Sequence, residues 1–115
     1  MYRKKVTLEN KYGFNTRIAG MLAQKSHAYQ SDIIMEYEGK RAYTREILRM
    51  LSLHPEEGAE VLFIADGVDE VQGVESACAL IKDYAENEKR EKAEREARKA
   101  KRKEMLLRFL PFLRK

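Results

Sequence analysis

The chain has a single cysteine, Cys78, and no long run of apolar residues. One cysteine excludes an internal disulfide bond, and the first residues show no apolar stretch of the kind that a signal peptide carries. The longest apolar runs fall far short of the roughly 20 residues that a transmembrane helix requires. These absences predict a reduced, cytoplasmic setting and no segment that crosses a bilayer.

Basic residues are concentrated in the last third of the chain. Residues 1–81 hold 10 Lys and Arg against 12 Asp and Glu, whereas residues 82–115 hold 13 against 7. The body therefore has a net charge of −2 and the tail a net charge of +6. The high sequence pI of about 9.2 is thus caused by the basic residues of the tail. This division predicts one small domain with a basic tail and excludes a specific nucleic-acid interface on the body.

Apolar periodicity predicts seven elements in the order β-α-β-β-α-β-α. The expected strands are residues 5–8, 33–37, 41–43 and 60–65, and the expected helices are residues 16–28, 47–53 and 69–84. The apolar stripe of the last helix stops at Tyr84, which predicts a packed domain over residues 1–84. This order indicates an α+β fold with one antiparallel sheet covered on one face by helices.

Two further segments follow the domain. Residues 85–104 lack glycine, proline and β-branched residues and pair glutamate with lysine or arginine four positions later, which predicts a charged helical extension. Residues 105–115 form an apolar and basic amphipathic terminus, whose candidate contact residues are Leu106, Leu107, Phe109 and Leu110. Three interpretations stand: an anchor on an anionic membrane surface, self-association with a second chain, and folding back onto the body.

Several separated motifs follow one another in the first 84 residues. They are Tyr12–Ala19, Gly39–Lys40, Ile47–Leu53, Gly58 and Ala65–Glu70. In this order and spacing they resemble the HPr family, the histidine-containing phosphocarriers of the bacterial sugar phosphotransferase system. The resemblance implies an HPr-like open-faced sandwich, here with an extended C-terminal helix.

Asn15 stands where the family has its phosphorylated histidine. An amide nitrogen is not basic and cannot accept and pass on a phosphoryl group, so we expect no transfer chemistry. Asparagine is also among the best N-cap residues, which predicts that Asn15 starts the first helix. Arg17 remains, and with the amides of the helix start it predicts a surviving anion-binding or partner-binding site.

Glu46 stands where HPr proteins of low-GC Gram-positive bacteria have a serine that a dedicated kinase phosphorylates. Its single negative charge would imitate phosphoserine only in part. An acidic residue at a helix start is also favoured by the helix dipole without any regulatory meaning, and both interpretations stand. With Asn15 and Arg17, Glu46 completes the predicted anion-binding or partner-binding set.

The resemblance also implies a docking surface beside the second helix. Its candidate residues are Phe14, Ile47, Leu48 and Leu51. The two histidines, His27 and His54, have no orienting carboxylate at a recognisable spacing and are expected to lie on the surface.

Together these features predict a non-phosphorylatable regulatory binding protein linked to the sugar phosphotransferase system or to carbon catabolite control. We expect no enzymatic activity, no cofactor and no metal. The implied partners are phosphotransferase components or a transcriptional regulator. Two alternatives stand: an active phosphocarrier that uses another acceptor, and an adaptor tethered to the inner membrane face through its C-terminal tail.

Overall fold

The computed structural model describes residues 1–113, and the side chains of residues 1–108. Over this range the chain forms four strands and three helices. The strands are β1 (Tyr2–Thr7), β2 (Asp32–Tyr37), β3 (Lys40–Tyr43) and β4 (Glu60–Asp66). The helices are α1 (Thr16–Ser26), α2 (Ile47–Leu53) and α3 (Glu70–Leu113).

The strands form one antiparallel sheet in the order β1-β4-β2-β3. In this sheet β4 pairs with β1 through Val6 and Val61, and with β2 through Met35 and Phe63. These four side chains are buried against the helices because alternate residues of a strand face the same side of a sheet. The α+β fold and the element order predicted from the sequence are confirmed.

The first strand differs from its prediction at both ends. It begins at Tyr2 and ends at Thr7, so Leu8 lies just outside it. Leu8 is nevertheless fully buried, and its backbone N–H donates to the Ala59 oxygen at 2.9 Å. The sequence pattern places Leu8 in the strand, because a buried residue that alternates with polar neighbours gives the same pattern in a strand and in the loop that follows it.

Helix α3 begins in the core and continues far beyond it. Val74, Cys78 and Ile81 are buried, as the apolar stripe predicts. Packing runs slightly past Tyr84, because Ala85 is only 3% exposed and the Glu88 carboxylate accepts the Lys11 backbone N–H at 2.7 Å.

Residues 89–108 are all exposed, and we call this segment of α3 the stalk. The molecule is 72 Å long and at most 24 Å wide, and the tail, as far as its side chains are described, does not fold back onto the body in this conformation. The exposed apolar residues at its distal end are Met105, Leu106 and Leu107. The side chains of Phe109 and Leu110 lie outside the described residues. No helix in the described part of the chain has both the length and the hydropathy needed to cross a bilayer.

Candidate functional site

A tight turn places the start of α1. Two consecutive residues have positive φ angles, Tyr12 at 68° and Gly13 at 70°. The Asn10 side-chain amide donates to the Gly13 carbonyl at 2.5 Å and closes the turn. A Cβ atom on Gly13 would lie 2.5 Å from the Glu56 backbone carbon, so glycine is required here both for its φ angle and for space.

Asn15 uses both ends of its side-chain amide. Its Oδ1 accepts the Ile18 backbone N–H at 2.8 Å, which confirms that it caps α1. Its Nδ2 donates to the Tyr84 hydroxyl at 3.3 Å and thereby joins the start of α1 to α3. The side chain is therefore engaged in structural hydrogen bonds at both of its polar atoms.

A groove of about 860 Å³ lies between the start of α1 and α3, and Asn15 and Arg17 form part of its wall. The other wall is α3 from Leu80 to the stalk residue Lys99. Among the described residues that line it, Lys and Arg number six against four Asp and Glu, which gives the groove a modest excess of positive charge. The described salt bridges include none to Arg17, which leaves its guanidinium available to an anionic group.

Glu46 precedes α2 but does not cap it. Its side chain makes no capping hydrogen bond, and its Oε2 lies 3.3 Å from Nε of Arg49. Arg45 pairs with Asp32 at 3.4 Å instead. The Glu46 carboxylate is exposed, and among the described residues its one ionic partner is Arg49, in a surface ion pair, which is a weak interaction.

The predicted docking residues divide into exposed and half-buried members. Leu48 is 82% exposed and Ile47 is exposed beside it. Leu51 and Phe14 are half-buried and pack against the core. The Phe14 backbone N–H donates to the Pro55 oxygen at 3.0 Å, so the turn before α1 adjoins the segment after α2. The structure thus places the turn before α1 next to the segment after α2, and Leu48 is the most exposed of the four predicted residues.

The sequence did not reveal two residues beside this site. Tyr12 is 81% exposed, and the Lys11 ammonium lies 5.2 Å from the centre of its ring. The sequence predicts Tyr84 as the last residue of the apolar stripe, and the structure shows that its hydroxyl also reaches Asn15. The Tyr12-Gly13 pair before a helix start indicates a turn, but no local pattern indicates that the tyrosine projects into solvent or that Tyr84 reaches across to α1.

The remaining candidate nucleophiles lie elsewhere. His27 follows α1 and His54 follows α2; both are exposed, and neither lines the groove. Burial raises the pKa of the Cys78 thiol, which disfavours the reactive thiolate. Over residues 1–113, no group of three His, Cys, Asp or Glu side chains is placed to hold a metal ion.

A four-stranded antiparallel sheet under helices, with a capped helix start beside an exposed apolar helix, defines an HPr-like open-faced sandwich. Residues 2–83 match the family described as "PTS HPr component phosphorylation site". The chain therefore belongs to the HPr family. The stalk lies entirely outside the matched region.

Individual relatives support this assignment. The HPr-like protein Crh of Bacillus subtilis (strain 168) is 31% identical over 83 residues, which cover 72% of this chain and 98% of that protein. A crystal structure of Crh, described as a catabolite repression protein of that organism, covers 72% of this chain and 95% of its own with a TM-score of 0.58. The crystal structure of HPr-C-His from Thermoanaerobacter tengcongensis is 27% identical, covers 76% of this chain and 94% of its own, and has a TM-score of 0.62.

Proposed function

We propose that this chain is a regulatory binding protein of the sugar phosphotransferase system or of carbon catabolite control, and that it accepts no phosphoryl group at the start of α1. The observation that supports this most directly is the Asn15 side chain, whose oxygen caps α1 and whose nitrogen bonds Tyr84. An amide at this position lacks the basic nitrogen that phosphoryl transfer through a histidine requires. The protein acts by contact and not by catalysis.

The surroundings of α2 support the same proposal. Glu46 offers a carboxylate where a kinase would need a hydroxyl. The nearest hydroxyl toward the N-terminus, that of Thr44, is fully buried and donates to the Ile33 oxygen at 3.2 Å. Ser52 is exposed, but it lies near the end of α2 and donates to the Arg49 oxygen at 2.6 Å. We infer that the kinase-dependent switch at the start of α2 is also absent.

Phosphorylation by enzyme I and phosphoenolpyruvate tests the proposal. The unmodified chain should remain unlabelled. Asn15→His should gain acid-labile phosphate, because the first amides of α1 and the Arg17 guanidinium favour a dianion at that place. The double variant Asn15→His with Arg17→Gln should label less, and Asn15→Asp, which keeps a capping oxygen but lacks an imidazole, should not form acid-labile phosphohistidine.

Mass spectrometry then identifies the modified residue. Acid-labile phosphate on the unmodified chain would contradict the proposal. If that phosphate lies on His27 or His54, the result would support the alternative of an active carrier that uses another acceptor.

The docking surface, which we define as Phe14, Ile47, Leu48 and Leu51 together with Arg17, is the proposed contact with a protein partner. The Crh relative is described as a catabolite repression protein, which favours a phosphotransferase component or a transcriptional regulator in the cytoplasm as the partner. Arginine is enriched among the residues that dominate protein interfaces. Covering exposed apolar side chains such as Leu48 with a partner removes apolar surface from water, which favours association.

Leu48→Asp should abolish capture of the partner from a native extract without unfolding the protein, because an 82% exposed side chain contributes little to stability. Val68→Asp is the matched control. Val68 is 84% exposed on the loop between β4 and α3, at the opposite end of the sheet from the turn before α1. If Leu48→Asp captures as much partner as Val68→Asp does, the partner does not use this surface.

A further inference from the structure

The distal end of the stalk presents apolar side chains around most of its circumference. Met105, Leu106 and Leu107 are 61%, 62% and 59% exposed. Successive residues of an α-helix are turned by about 100°, so these three span roughly 200° around the axis. The sequence continues with Phe109, Leu110, Phe112 and Leu113, which keeps the segment strongly apolar.

This breadth does not fit a paired helix. A coiled-coil seam is a narrow stripe with apolar residues alternately three and four positions apart. The only such stripe on the stalk is Ala93, Ala97 and Ala100, and the next position in its spacing is Glu104. A second helix packed on this seam would leave much of the apolar end in water.

A cluster of exposed positive charge precedes the apolar end and is separated from it by one residue, Glu104. Between Arg98 and Lys103 five of six residues are Lys or Arg, none is acidic, and all are exposed. These side chains have no ion-pair partner among the described salt bridges. The body carries a net charge of −2. An anionic surface would therefore attract the end of the stalk and repel the body.

We propose that the distal stalk, residues 98–108, binds an anionic lipid surface and tethers the HPr-like domain to it. The basic cluster lies among the headgroups, and Met105, Leu106 and Leu107 enter the boundary between headgroups and acyl chains. Arg108 is turned about 200° from Leu106, so it stays on the water side when Leu106 is immersed. The segment lies along the interface, because insertion end-on would carry the Arg108 charge into hydrocarbon.

Sedimentation of the full-length protein with vesicles tests this proposal. One set contains equal parts of phosphatidylglycerol and phosphatidylcholine, and the other contains phosphatidylcholine alone. The protein should pellet with the anionic set and remain in solution with the neutral one. Raising the salt from about 0.1 M to about 1 M should release it, because the Debye length falls from about 10 Å to about 3 Å.

Two double variants test whether binding depends on the basic cluster itself or only on the net charge of the stalk. Lys101→Gln with Lys103→Gln should weaken binding about 25-fold, since each charge near an anionic surface contributes about fivefold. Arg90→Gln with Lys92→Gln removes the same charge from the stalk near the domain and should change binding by no more than about twofold. Leu106→Asp with Leu107→Asp should abolish pelleting, whereas the circular dichroism signal of the domain should stay unchanged.

Three results would overturn the proposal. The first is that the protein fails to pellet with anionic vesicles. The second is equal pelleting with both vesicle sets, or equal weakening by the two charge variants. The third is a stable dimer in solution that Leu107→Asp dissociates while vesicles remain unbound, which would identify a second copy of this chain as the occupant of the apolar end.

Discussion

At the residue scale, the side chain of Asn15 shows which contacts a sequence reveals. Its bond to the Ile18 amide spans three residues, and the preference of asparagine for this position made it predictable. Its bond to Tyr84 spans 69 residues and depends on how α3 crosses α1, so no local pattern could predict it. The residue type at position 15 was therefore enough to predict the cap and the missing phosphoryl acceptor, whereas the long-range contact with Tyr84 could not be predicted.

The glycines of the turns show the same limit. Both Gly13 and Gly39 have positive φ angles, and a turn was predicted at Gly39. Only Gly13 also lies against the backbone of a distant segment, since a Cβ atom at Gly39 would meet nothing within 4 Å. Sequence reasoning finds the need for a turn, whereas the need for space depends on tertiary packing.

Asp69 makes the stability of the fold depend on pH. Its carboxylate accepts the Ser31 hydroxyl at 2.6 Å and the backbone N–H groups of Gln30 and Ser31 at 2.8 and 2.9 Å. The Ser31 hydroxyl, followed by the two N–H groups, lowers the pKa of this carboxyl below its ordinary value. A lowered pKa stabilises the folded state above the unfolded pKa of about 3.9, and this stabilisation is lost as the pH falls through the folded pKa.

We expect wild type to be more stable than Asp69→Asn at pH 7, and this difference to shrink as the pH falls below about 4. Urea unfolding midpoints measured across this range give the comparison. Asp83→Asn, which removes an exposed carboxylate that accepts no hydrogen bond among the described residues, is the control and should show no such convergence. A constant difference between wild type and Asp69→Asn would refute the assignment.

At the element scale, the capping preference of Asn15 was sufficient for the start of α1, and apolar periodicity was sufficient for α2, whereas α1 ends at Ser26, two residues before its predicted end. The helix predicted after Asn15 begins at Thr16, and α2 has the bounds Ile47–Leu53 that its apolar run predicts. The end of packing along α3 was harder to predict. Ala85 is small enough to read as part of a charged segment, and Glu88 packs through a hydrogen bond to a loop that its sequence neighbours do not indicate.

This difference gives a prediction about truncation. A chain ending at Arg90 should be as stable as the full chain, because the removed residues whose side chains are described, 91–108, are all exposed. A chain ending at Tyr84 should lose about 1–2 kcal/mol, through the buried Ala85 methyl group and the Glu88 hydrogen bond. Thermal and urea unfolding of both would measure this. Equal stability of the two truncations would place the end of the domain at Tyr84, as the apolar stripe alone suggests.

At the scale of the whole molecule, α3 makes the protein long and carries its positive charge away from the body. The negative body lies at one end and the positive stalk at the other, over 72 Å. The sequence predicted this separation of charge, because it follows from composition. It left the direction of the tail open, since a charged helix and an apolar terminus are equally compatible with folding back.

Small-angle X-ray scattering of the monomer distinguishes these conformations. The radius of gyration of the extended chain is 19.9 Å. A compact globule of this length would have about 13 Å. We expect a radius of gyration near 19.9 Å at moderate salt. A radius of about 13 Å would indicate that the tail packs on the domain in solution.

The continuity of α3 from the core to the stalk fixes an angle as well as a distance. Each residue of a helix adds about 1.5 Å of height and about 100° of rotation. Deleting two stalk residues would bring the domain about 3 Å closer to the distal end of the stalk but turn Leu48 and Arg17 by about 200°, toward the other side of the axis. Deleting seven would shorten the same distance by about 10 Å and turn the domain by only about 20°. For a partner held in a fixed orientation relative to the end of the stalk, binding should therefore depend more on the rotation of the domain about the helix axis than on its distance from that end.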